Sequence, residues 1–97
     1  MSKLPLKIEV LVYLVRANRP VSVDELERAM LEKYDNNHKL VSKKRIESYL
    51  MAMLNVKMVK SCNLRMDGND VAMDFQIDDP GIVRYEWIKN LIEKRTA

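Results

Sequence analysis

The residues that leave this chain the fewest ways to fold run from 71 to 78. Val71, Met73, Phe75 and Ile77 alternate with Ala72, Asp74, Gln76 and Asp78. A period of two over that length is a β-strand with one apolar and one wet face. The stretch before it alternates too, with Met58, Cys62, Leu64 and Met66 on one side and Lys60 as the single breach. Asp67-Gly68-Asn69-Asp70 has turn chemistry, so the two segments pair as a hairpin. A Gly68-Asn69 loop sets Met66 opposite Val71 and Cys62 opposite Phe75. An Asp67-Gly68 loop sets Leu64 opposite Val71 and Arg65 opposite Asp70. Both keep the apolar residues on one face, so the pattern does not choose the register. Cys62 is expected in the core, facing Phe75 or Met73.

Upstream the period changes to that of a helix. Residues 6 to about 17 carry Ile8, Leu11, Val12 and Val15 at helical spacing, widened by Val10 and Leu14, which predicts a central helix. Arg19-Pro20-Val21 is extended, because proline restricts the residue before it, and a very short strand fits there. A second helix opens at Ser22. Ser22 with Glu25 reads as a capping box and Val21 with Leu26 as a hydrophobic staple. Leu26, Ala29, Met30 and Tyr34 form its apolar stripe. A polar link, Asp35-Asn36-Asn37-His38-Lys39-Leu40, follows. Then comes VSKKRIESYLMAMLNVKMV, residues 41–59. Ser42 is its N-cap, Val41 and Ile46 its staple, and Ile46, Tyr49, Leu50, Met53 and Val56 its apolar face, to about Asn55. A fourth helix closes the chain, with Asp79 as N-cap, Pro80 at N1, and Lys94 and Arg95 suited to its C-terminal end.

Composition removes several classes. Ninety-seven residues make one domain, and 47% apolar with 32% charged residues describes a folded chain. One cysteine excludes an internal disulfide, and with a single histidine it supplies no metal-ligand spacing. The acidic turn lacks the spacing and distal Glu of a calcium loop. No Gly-rich phosphate loop or nucleophile–base pair is present, so we expect no enzyme, no cofactor and no metal. The apolar N-terminus is broken by Pro5, Lys7 and Glu9, so neither a leader nor a membrane span is expected, and a reducing cytoplasm fits. From the initiating Met and the charged C-terminal end a whole protein is the expectation, which the sequence does not decide.

Charge is segregated along the chain. Lys39, Lys43, Lys44, Arg45, Lys57, Lys60 and Arg65 face a single anion, Glu47, between residues 39 and 66. Residues 67–79 hold five Asp and no cation. Three cations at a helix N-terminus oppose its macrodipole, at a cost of roughly 0.3–1 kcal/mol each, which a bound polyanion would recover.

Helix, short strand, helix, helix, hairpin, helix is the order of a winged helix-turn-helix, an α+β fold. The expected division is a winged-helix domain over 1–79 and a C-terminal helix over 80–97 that packs on it or dimerises. The stretch Val59-Lys60-Ser61-Cys62-Asn63-Leu64-Arg65-Met66, after a helix rich in Tyr, Leu and Met, resembles the CaiF/GrlA family of enterobacterial transcription regulators. That resemblance implies a bacterial regulator of transcription and carries over no individual base-contacting residue. On the winged-helix reading, Lys39, Ser42, Lys43, Lys44, Arg45, Ser48, Lys57, Lys60 and Arg65 are the candidate DNA contacts. Arg45 suits a bidentate pair with guanine; Lys39, Lys57 and Lys60 suit phosphates. Tyr85, Trp87, Ile88, Leu91 and Ile92 are the candidate homodimer interface. The expected function is a small bacterial or phage regulator that inserts helix 3 into the major groove of double-stranded DNA as a dimer. The alternative is a winged-helix module that binds a protein partner and not DNA, which the acidic hairpin tip favours.

Overall fold

The computed structural model describes residues 4–96, with side chains as far as Lys94. Arg95, expected near the end of the last helix, therefore lies outside the described side chains. The elements are α1 (Leu6–Ala17), β1 (Val21–Ser22), α2 (Val23–Lys33), α3 (Lys43–Asn55), β2 (Val59–Asp67), β3 (Asp70–Ile77) and α4 (Asp79–Thr96). The three strands form one antiparallel sheet in the order β1-β3-β2.

Local signals set the helix starts. Ser22 Oγ accepts from Glu25 N at 3.1 Å, and Val21 and Leu26 are both fully buried, so the staple is made. The return half of the capping box is not. The Glu25 carboxylate instead accepts from Tyr13 Oη and from Arg19 Nη2, each at 2.6 Å. The Arg19 and Tyr13 donors hold this carboxyl below the usual glutamate range. Helix α4 starts one residue earlier than expected. Asp78, not Asp79, is the residue before it, and its backbone carbonyl accepts from Gly81 N and Ile82 N. A helix tolerates Pro anywhere in its first turn, so Pro80 leaves this one-residue shift open.

Helix α1 lies at the centre and packs on α2, α3, α4 and β3. Its most buried side is Val10, Leu11 and Leu14, while Ile8, Val12 and Val15 are only half-buried. Leu26 and Met30 of α2, Ile46, Leu50 and Met53 of α3, and Val59, Phe75 and Ile77 of the sheet complete the core.

The hairpin settles on neither uniform register. Met66 pairs with Val71 at the tip, as a Gly68-Asn69 loop requires, but lower down Cys62 pairs with Asp74 and Ser61 with Phe75. The register slips by one between Cys62 and Arg65, where Asn63 takes a left-handed backbone (φ 54°). This is a β-bulge. It sets Cys62 across from Asp74, not Phe75, and the thiol donates to the Asp74 carbonyl oxygen at 3.6 Å. Burial pushes that thiol's pKa up, away from the reactive thiolate. Gly68 (φ 64°) supplies the positive φ of a two-residue turn.

Candidate nucleic-acid interface

The surface around α3 is built from its N-terminus outward. Ser42 Oγ accepts from Arg45 N at 3.1 Å, and Val41 and Ile46 are buried beneath. Ser42 is thus half-buried with its hydroxyl engaged as a cap, which leaves it a structural part in the site. The first turn holds Lys43, Lys44 and Arg45 and no acidic residue. All three side chains are exposed, with Ser48, Ala52 and Asn55 continuing the exposed side. Lys43 differs from the other two, because its ammonium pairs with Asp24 of α2 at 2.9 Å. The contact lowers the Asp24 pKa and raises that of Lys43. Both groups are well exposed, so the pair contributes only about 0–1 kcal/mol and can be exchanged for another anion.

Lys39 is exposed in the link before α3, where Asn37 Oδ1 accepts from Lys39 N at 3.1 Å. Lys60 is exposed on β2 beside Gln76. Arg65 is exposed but occupied. Its Nη1 donates to Asp74 Oδ1 at 3.1 Å and to the Asn63 carbonyl at 3.0 Å, which ties it across the bulge.

Lys57 has a feature that sequence reading missed. It follows the end of α3 in the left-handed region (φ 62°), while Met58 N donates to Met53 O and Lys57 N to Leu54 O. This closure usually places glycine where Lys57 sits. A side chain there costs about 1–2 kcal/mol. The clue was present: α3 ends at Asn55, so Lys57 falls on the glycine position. Lys57→Gly is expected to raise stability by about 1 kcal/mol, a gain of roughly 4–8 °C in melting temperature. Thermal unfolding followed by circular dichroism checks it.

On α4 the structure divides the residues singled out for an interface. Tyr85 and Ile88 are half-buried against the core, so they face the domain. Trp87 (55% exposed) and Leu91 (44%) point away, in line with Val83 (68%), an apolar residue of this helix that was not among the candidate interface residues. Val83, Trp87 and Leu91 stand four residues apart, a straight apolar stripe on one helix face. Arg84 lies over the Trp87 ring, 5.1 Å from its centre. Ile92 is half-buried.

No family model matches the chain, and no curated protein matches it either. Solved structures do. A PadR-like transcriptional regulator from Bacillus cereus superposes with a TM-score of 0.71 at 18% identity, covering 94% of this chain and 84% of the other. A transcriptional-regulator candidate from Thermoplasma acidophilum superposes at 0.65, also at 18% identity, covering 94% and 88%. The fold is a winged helix-turn-helix. At this identity the likeness extends to the fold alone, in which α3 is the third helix and the β2–β3 hairpin is the wing. No described helix is long and apolar enough to cross a membrane.

Proposed function

We propose that this winged helix is a DNA-binding regulator of transcription that reads duplex DNA with α3. The observation that carries the proposal is the exposed N-terminal turn of α3. It holds three cations, no acid, and two side chains, Lys44 and Arg45, for which no ion pair is found among the described residues. A helix N-terminus already attracts anions through its free N–H groups, and these side chains add to that attraction. Lys44, Arg45 and Ser48 would enter the major groove, while Lys39, Lys57 and Lys60 would meet phosphates. Lys57 fits the scheme, because it holds an exposed cation at the exit of α3 on a left-handed backbone. Arg65 would stay on the wing with Asp74. The fold neighbours carry transcriptional-regulator descriptions, one of them PadR-like, and no comparison bears out the resemblance to the CaiF/GrlA family. The scheme is one of binding and not of catalysis.

The test is fluorescence anisotropy of labelled duplex DNA across a salt series, with Lys43, Lys44 and Arg45 together changed to Ala. Wild type should show a steep loss of affinity with salt. The triple variant should lose about 0.9 of that slope for each phosphate contact removed. The acidic wing tip favours a second reading, a protein-interaction module that does not bind DNA. Absence of binding at about 50 mM salt would decide for it.

The dimer belongs to the same proposal. Val83, Trp87 and Leu91 would meet their counterparts about a two-fold axis, and each α3 would then address one half-site. Sedimentation velocity should give twice the 11.4 kDa chain mass, and Trp87→Glu should return it to the single chain. A wild-type monomer at high concentration would remove the dimer from the scheme.

A further inference from the structure

Between α3, the start of α2 and the wing lies a cleft of about 770 Å³. Helix α3 contributes Lys43, Glu47 and Met51, one row at a spacing of four, while Lys44, Arg45 and Ser48 do not line it. The helix therefore has two separate surfaces, an outer one rich in cations and an inner one facing the wing. The opposite wall is the wing itself, through Met66 and Val71 with Met73 behind. Met51, Met66 and Val71 are all exposed, so the cleft presents an apolar strip between its charged side chains, and no other described residue covers it.

Its charge is the reverse of the outer surface. The two cations that line it are both satisfied, Lys43 by Asp24 and Arg65 by Asp74. Glu47, Asp67 and Asp70 line it without an ion-pair partner among the described residues. Asp67 and Asp70 are moreover register partners. Like charges directly opposite each other destabilise a hairpin, and a cation placed between them relieves it. A phosphate backbone would be repelled here. The chemistry that fits is a segment with apolar side chains for the methionines and cations for the carboxylates. Methionine walls re-pack around helices of varied sequence, and basic amphipathic helices are bound on such surfaces.

We propose that this cleft docks a basic amphipathic helix of another protein. The proposal rests on the cleft alone and stands whether or not α3 reads DNA.

The probe is a labelled Leu/Lys peptide with its leucines at helical spacing, titrated with the full chain and followed by anisotropy without DNA. The same peptide with Glu for Lys is the charge control. Wild type should bind the Lys peptide and leave the Glu peptide free. The variant Glu47→Gln/Asp67→Asn/Asp70→Asn should weaken binding about tenfold or more, and Met51→Ser/Met66→Ser should weaken it comparably. Glu32→Gln/Glu86→Gln, exposed elsewhere, should leave it unchanged. Every substituted side chain is exposed, and an unchanged melting temperature confirms the fold. Equal binding of the two peptides, or undiminished binding by either cleft variant, overturns the proposal. Loss of DNA binding in the α3 triple variant bears on neither result.

Discussion

Gly81→Ala is expected to lower the melting temperature by roughly 10–20 °C, corresponding to a loss of about 3 kcal/mol. A methyl group at Gly81 would sit 2.2 Å from the Met58 carbonyl oxygen and 2.6 Å from Ile77 Cδ1. The first contact is with backbone, which cannot rotate aside. That carbonyl also accepts from Asp78 N at 3.0 Å, so moving it breaks the bond that starts α4. The joint between the end of α3 and the beginning of α4 thus closes only around a residue without a side chain. Gly68→Ala is the matched control. Nothing lies within 4 Å of its added carbon, and the cost is the left-handed backbone alone, about 1–2 kcal/mol. Thermal unfolding of both variants separates the steric cause from the conformational one. Equal losses would show that Gly81 is not closely packed.

Glu9 and Lys33 carry the second large effect. Glu9 is 4% exposed in the first turn of α1, and the Lys33 ammonium at the end of α2 pairs with its Oε2. That oxygen has no hydrogen-bond partner among the described residues. The carboxylate therefore depends on one cation, whose own side chain is 45% exposed. Lys33→Ala is expected to cost about 2 kcal/mol, below the roughly 3–5 kcal/mol of a fully buried pair because water still reaches the site. Removing both charges should do the opposite. Glu9→Met/Lys33→Met is expected to equal or exceed wild-type stability, because apolar side chains of similar volume suit the interior better than a paired ion does. Chemical denaturation of the single and double variants checks the contrast. A double variant as weak as Lys33→Ala would show that the pair itself stabilises the α1–α2 contact.

These two sites also mark where sequence reading stops. Gly81 gave no signal, because its constraint comes from Met58 and Ile77, brought beside it only by the fold. Glu9 read as a polar interruption of an apolar helix, and its burial depends on where α2 ends. Local signals were clear by contrast. Ser42 and Ser22 with their staples located two helix starts, since capping is decided within four residues. The hairpin showed its existence in its alternation but not its register, because one extra residue at Asn63 breaks the period without altering composition. The candidate site was legible as a basic segment. Its partition was not: the pairing of Lys43 with Asp24, and of Arg65 with Asp74, are contacts between elements distant in the chain. For the same reason the apolar residues of α4 could not be divided between the domain and solvent until the helix had a direction on the domain.

The bulge at Asn63 has a consequence for how the protein behaves in company. Strand β2 is nine residues long, lies at the edge of the sheet, and exposes Leu64 and Met66. A straight edge of that length is an invitation for a neighbouring hairpin to add itself strand by strand. The slip at Asn63 divides the edge into two short runs that cannot both align with one straight partner, and the opposite edge, β1, is only two residues long. The slip thereby makes the exposed edge of the wing a poorer template for a straight neighbouring strand.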